Sequence, residues 1–238
     1  VWLAVRRTQN IEERKRLTQL IVDKSKIMKL EQQALNSSMN RHFIFNALNS
    51  IQYYINRKDR ISANKYLSNF AKLVRKNLDS SLTNEIYLDE EIERIELYLK
   101  LEEMRFQDKF DYSIEVDKNI EPQTIKIPSM LLQPFIENSI WHGILPRDKR
   151  GKINIVVSQK EGKLQLLIKD DGIGIEKSMA AKKEGNQHHN SKGMELTKGR
   201  IELISKTSNK DCAIKGPYQV YDKSGKVAGT EVSIMLTL

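Results

Sequence analysis

Leu164-Gln165-Leu166-Leu167-Ile168-Lys169-Asp170-Asp171-Gly172-Ile173-Gly174 is the stretch that decides the fold class. An apolar run of strand length ends in two carboxylates and a turn bracketed by glycines. Glycine there permits positive φ and close approach of a ligand. A carboxylate at a strand end can accept a hydrogen bond from a ligand amino group. The same residues also read as a plain hairpin turn, since Asp-Gly is common in one.

Outward from this stretch, Tyr112–Val116 alternates as a strand should. Lys152–Val157 and Val232–Leu236 read as further strands, and Ser129–Ile144 and Met194–Lys206 as helices. The expectation is an α/β layer, a mixed sheet backed by helices on one face. Glycine and proline confine it. All eleven glycines lie between Gly143 and Gly229, and all five prolines between Pro122 and Pro217. With neither residue to interrupt it, the chain before about residue 105 should be long helices.

Residues 8–57 read as one long helix. Leu17, Leu20, Ile21, Ile27, Met28, Ala34 and Leu35 recur near a heptad period, which predicts a dimeric coiled coil. Asp59–Ser62 makes a break, and a second helix runs to about Leu78 with Ala63, Leu67, Phe70, Val74 and Leu78 on one side. Two such hairpins would bury their stripes as a four-helix bundle. A third helix spans Leu88–Phe106. Val1 is not an initiator residue, so a fragment or a processed chain is expected. Val1–Val5 before Arg6-Arg7 reads either as the end of a membrane helix at its basic border or as an ordinary helix start.

Composition bounds the rest. The 238 residues are 39% apolar, enough for about two domains with cores of their own. No stretch reaches the roughly 20 apolar residues of a membrane span. Cys212 is the sole cysteine, which excludes an internal disulfide framework and a multi-cysteine zinc site. The net charge of +9 is compatible with nucleic acid or an anionic surface. Basic residues interleaved with acidic ones favour a solvated lysine-rich surface, so no direct nucleic-acid binding is expected.

Four further constellations bear chemistry. In Asn40-Arg41-His42-Phe43-Ile44-Phe45-Asn46, helical spacing puts His42, Asn46, Asn49 and Tyr53 on one face and Ile44, Leu48, Ile51 and Ile55 on another. A neutral imidazole there is a candidate nucleophile, with Asn46 one turn on to hold the ring. In Leu132-Gln133-Pro134-Phe135-Ile136-Glu137-Asn138-Ser139-Ile140-Trp141-His142-Gly143, the Asn138 amide oxygen suits Mg²⁺ and His142 suits a phosphate. Ser191-Lys192-Gly193-Met194 opens a helix whose free N–H groups suit an anion. The polar stretch Glu176–Asn190 before it reads as a lid, and its His188-His189 pair as solvated loop rather than metal site. Gly229-Thr230 enters the last strand.

The order of these elements resembles the LytS/YehU-type sensor histidine kinases, with a histidine kinase dimerisation segment and a GHKL-type ATP-binding domain. The likeness covers about residues 34–238. It is carried by His42–Ile51, by Leu132-Gln133-Pro134-Phe135 leading into Glu137-Asn138, and by Tyr98-Leu99 spaced from Glu102, Arg105 and Phe106. The resemblance implies three segments: a signalling coiled-coil helix at 1–33, dimerisation and phosphotransfer helices at 34–106, and a GHKL-type α/β sandwich at 107–238. It implies that His42 is autophosphorylated and that Asn138 holds Mg²⁺, with His142 near the phosphates of ATP. Asp170 would bind the adenine amino group, Gly172 and Gly174 shape that pocket, Gly193 sit at the phosphate-side helix start, and Thr230 lie near the adenine. It further implies a homodimer, a response regulator receiver domain as partner (LytTR-type by family), an upstream sensor outside this chain, and the cytoplasmic side of a bacterial inner membrane.

Four positions depart from the family's pattern: Arg41 stands for a proline, Asp171 for an asparagine, Trp141 for a lysine and Ser191 for a glycine. An extra carboxylate at Asp171 would help bind metal or weaken nucleotide affinity. Pro134 stands where hydrolytic relatives carry a water-activating glutamate, which favours transfer over hydrolysis, with Glu137 leaving that open. The rival expectations are a nucleotide-binding dimeric signalling scaffold that does not phosphorylate, and a DNA- or membrane-surface protein whose binding falls with salt and needs no ATP.

Overall fold

The structure is a computed structural model that describes residues 11–16, 18, 19, 22, 41–81, 83, 85–107, 109–184, 199 and 212–237. Two helices, α1 (Arg41–Asn56) and α2 (Arg60–Ser81), form an antiparallel hairpin. The break between them is tighter than the sequence predicts, Arg57–Asp59, because the Asp59 carboxylate accepts the Ser62 N–H at 3.0 Å and so caps α2 at once. The seven residues of the heptad stripe lie outside the described residues. So do Gly193 and, apart from the helical Gly199, the expected helix Met194–Lys206.

Within the single chain the hairpin turns part of its apolar surface inward. Phe43, Ala47, Ser50 and Tyr54 of α1 turn inward, as do Ala63, Tyr66, Leu73 and Asn77 of α2. Leu48 and Ile55 are 52% and 60% exposed, and Phe45, Leu67 and Leu78 are exposed with them. Each helix is therefore apolar on two sides. One side meets α3 (Leu88–Phe106) and the other faces outward.

The boundaries of α3 agree with the sequence. Asp89, Glu90 and Glu91 fill its first turn and Arg105 its last, as the helix dipole favours. The Glu90 carboxylate also accepts the Tyr87 N–H at 3.0 Å. A short antiparallel pair, β1 (Glu85–Tyr87) with β3 (Lys126–Pro128), ties the start of α3 to the rest. The sequence does not announce it.

The main sheet has the order β2-β4-β5-β7-β6. Its strands are β2 (Phe110–Val116), β4 (Gly151–Lys160), β5 (Lys163–Asp170), β6 (Cys212–Tyr221) and β7 (Val227–Thr237). β2 and β4 pair in parallel and the remaining pairs are antiparallel, so the sheet is mixed as expected. Ile153, Ile155 and Val157 of β4, Leu164, Leu166 and Ile168 of β5, and Val232, Ile234 and Leu236 of β7 alternate inward. They share one core with α3 and with α4 (Gln133–Asn138). The fold is thus α followed by α/β. The strand β6 is missed by the sequence reading. The first part of the stretch expected as a lid, Ile175–Glu184, is a helix, α5, because nothing in Glu176–Glu184 breaks one, and 185–190 lie outside the described residues.

One buried polar cluster crosses these parts. Arg94 and Glu91, both 0% exposed, pair twice, at 3.0 and 2.7 Å. Glu91 also accepts the Leu132 N–H at 3.1 Å, and Arg94 donates to the side chain of Gln133. Gln133 in turn donates to Glu137 at 2.7 Å.

Candidate nucleotide site

The site is built where α4 meets the ends of β5 and β7. Pro134 starts α4 without losing a needed donor. After Asn138 the helix widens into a π-helical turn, Ser139–Ile144, closed by the Leu145 N–H to the Ile140 carbonyl at 2.9 Å. Such turns re-aim side chains and recur at functional sites. Ser139, Ile140, Gly143 and Ile144 of this turn are buried against the sheet, while Asn138, Trp141 and His142 are half-buried.

Asp170 is the centre. It ends β5 opposite Thr230 of β7 and is 1% exposed. The Thr230 hydroxyl donates to one of its oxygens and the Gly172 N–H to the other at 2.9 Å. The Ser139 hydroxyl adds a further bond. Burial pushes the Asp170 carboxyl above the ordinary range, and these donors, Thr230 first, oppose the shift. The two hydroxyls can rotate, so they can yield a lone pair of the carboxylate to an incoming amino group.

The glycines act in two ways. Gly174 has φ +83, the left-handed region. Gly172 instead serves close approach: a β-carbon on it would stand 2.4 Å from the Gly143 α-carbon. The Ile173 N–H donates to the Gly143 carbonyl at 2.9 Å, so the turn is sewn to the helix that carries Asn138 and His142.

Asp171 follows directly and has partners of its own. Its carboxylate is engaged by the protein, accepting the Lys152 N–H at 2.6 Å and the Arg147 guanidinium at 2.8 Å. Arg147 also donates to the Asp171 carbonyl. This carboxylate braces the chain that follows the π-helical turn.

Asp170, Gly172, Gly174 and Thr230 therefore lie together, with Asn138 and His142 on the adjoining helix. His42 and Asn46 lie apart, on α1, where Asn46 is half-buried and its carbonyl accepts the Ser50 hydroxyl at 2.9 Å. The side chains of Arg41 and His42 lie outside the described residues. Ser139, Arg147 and Gln219 were not marked by the sequence. The Gln219 carbonyl accepts the Glu176 N–H at 3.3 Å and holds the start of α5 beside Gly174. Only the strand pairing reveals such neighbours.

Among the described residues no three His, Cys, Asp or Glu side chains gather as a metal cage. The one amide oxygen of Asn138 fits a magnesium ion that shares its ligands with substrate phosphates and water.

A mixed sheet with a buried acid at a strand end thus stands beside a helical hairpin, an α segment followed by an α/β one. The profile of the histidine kinase family matches residues 30–110. The chain is 32% identical to the sensor histidine kinase YpdA of Escherichia coli K12 over 177 residues, which are 74% of this chain and 31% of that one. It is 33% identical to the sensor protein LytS of Enterococcus faecalis over 152 residues, 63% of this chain and 25% of that one. Among solved structures, a histidine kinase domain from Erythrobacter litoralis EL346 superposes with a TM-score of 0.43 at 14% identity, over 90% of this chain and 96% of that one. The chain is thus similar to LytS-type sensor histidine kinases, and it spans a quarter to a third of the length of the relatives it matches. No described helix is long and apolar enough to cross a membrane.

Proposed function

We propose that this chain is the kinase part of a two-component sensor: it transfers the γ-phosphoryl of ATP to His42 and then to an aspartate of a response regulator, of the LytTR type. The observation that carries the reading is Asp170, a buried carboxylate whose partners Thr230, Ser139 and Gly172 come from three different elements. An acceptor so fixed suits the exocyclic amino group of adenine.

The residues divide the work. Asp170 and Thr230 hold the base, and Gly172 and Gly174 let it approach. His142 would face the phosphates in this reading, and Gly193 would be a second phosphate-side residue. Asn138 would hold Mg²⁺, which would offset charge on the phosphates. A neutral ring nitrogen of His42 attacks the γ-phosphorus in line. The bond to the β,γ-bridging oxygen breaks, ADP leaves with the electron pair, and the other ring nitrogen gives its proton to solvent. Asn46 orients the ring.

The segments at 1–33, 34–106 and 107–238 serve as signalling helix, dimerisation and phosphotransfer helices, and catalytic domain. The outward apolar residues Phe45, Leu48, Ile55, Leu67 and Leu78 suit a second hairpin of the same chain, as a homodimer would supply. A sensor upstream and a place on the cytoplasmic side of a bacterial inner membrane complete the proposal.

The test is incubation with γ-labelled ATP and Mg²⁺. An acid-labile label that is lost in His42→Ala supports the reading. A chain that binds nucleotide and takes no label is the scaffold instead.

A further inference from the structure

We propose that Trp141 is a positioning residue of the phosphotransfer, acting through Tyr98 on the helix turn that carries His42. The proposal rests on the kinase reading above and assigns Trp141 no contact with ATP.

An aromatic chain joins the two parts of the reaction. Trp141 sits in the π-helical turn between Asn138 and His142. Its indole N–H donates to the Tyr98 hydroxyl of α3. Indole is a donor only, and a buried phenol needs a partner, so the pair satisfies both groups. The Tyr98 ring, 2% exposed, lies 5.9 Å from Phe43, the residue after His42. Phe43 lies 5.8 Å from Phe70 of α2.

A second contact fixes the indole. It meets Phe106 edge-on at 5.5 Å, and the Arg105 guanidinium stands 5.0 Å over it and 4.5 Å over Phe106. Arg105 is held by Glu102 at 3.5 Å. The turn carrying the magnesium and phosphate ligands is thus clamped to α3 by Trp141, and α3 to the His42 turn by Tyr98. A small displacement of either is enough to spoil in-line attack.

The test uses the whole chain with Trp141→Phe, Tyr98→Phe and the double variant, each of which keeps an aromatic side chain at its position. Each single variant should lower kcat about tenfold and leave the KM for ATP within about twofold. The double should be no worse than either single, because one bond is lost in all three. An unchanged kcat, a raised KM with kcat intact, or additive losses would overturn the proposal.

A second readout needs no chemistry. The chain has two tryptophans, so Trp2→Phe leaves Trp141 as the sole indole. Its emission should change on adding Mg²⁺-ADP, and Tyr98→Phe should abolish the change. A wild type that shows this response but takes no label overturns the kinase reading alone. A labelled wild type without the response overturns the positioning role alone.

Discussion

Gly172 lies directly on Gly143, so that a β-carbon on Gly172 would stand 2.4 Å from the Gly143 α-carbon and 2.6 Å from its carbonyl oxygen. The acid-bearing turn and the helix of Asn138 therefore share a backbone seam that no side chain fits. Gly172→Ala should force them apart. Nucleotide affinity should fall at least about tenfold in titration calorimetry, with the helical content of the hairpin unchanged. Wild-type affinity would show that the seam is unrelated to binding.

Thr230→Val keeps the shape and removes one donor from the buried Asp170 carboxylate. The loss should be about 1–3 kcal/mol, read as a lower urea midpoint at constant slope. Nucleotide should bind more weakly too. Equal weakening in Thr230→Ser, which keeps the hydroxyl, would contradict this account.

Burial pushes the Glu102 carboxyl up to about 7, with Arg105 opposing the shift and Glu137 adding to it. Tyr98 also faces this group. A folded pKa above the unfolded 4.5 means that the folded chain binds this proton more tightly. The stabilisation is full below about pH 4.5 and is lost as pH rises to about 7, up to about 3 kcal/mol. In Glu102→Gln the fall in stability across that window should flatten. An identical pH profile would assign the proton elsewhere.

Removing one member of the Glu91–Arg94 pair leaves the other buried and uncompensated. Arg94→Met should cost about 3–5 kcal/mol, and Glu91→Leu with Arg94→Met should recover most of it. Thermal or urea unfolding of the three proteins decides. A single variant near wild-type stability would show that the pair is not closed to water.

Asp171→Asn should leave nucleotide affinity within about threefold, because this carboxylate is engaged by Arg147 and the Lys152 N–H. Titration with and without Mg²⁺ checks it. A large change only with Mg²⁺ would restore a metal role for Asp171.

Two local signals in the sequence are faithful. Leu88–Phe106 is helical over the span its periodicity and charges dictate, and β5 runs into Asp170-Asp171-Gly172 as the alternation requires. What failed needed tertiary knowledge. A doubly apolar helix does not announce which side it turns toward its own chain: α3 covers the face of Phe43, Ala47 and Tyr54, and Leu48 and Ile55 stay exposed on the single chain. The sequence suggests positive φ or close approach of a ligand at Gly172; the close approach in the structure is that of the Gly143 backbone, 29 positions away in sequence. Ser139 and Arg147 are ordinary residue types until the π-helical turn carries them to Asp170 and Asp171.

The central claim is that His42 receives the γ-phosphoryl group. The most direct measurement is mass-spectrometric localisation of phosphate, at neutral pH, on the chain incubated with ATP and Mg²⁺. The account predicts one phosphorylated site, on His42, absent from Asp170→Asn and from Asn138→Asp. Phosphate on a serine or threonine, or none on a chain that demonstrably binds ATP, would contradict it.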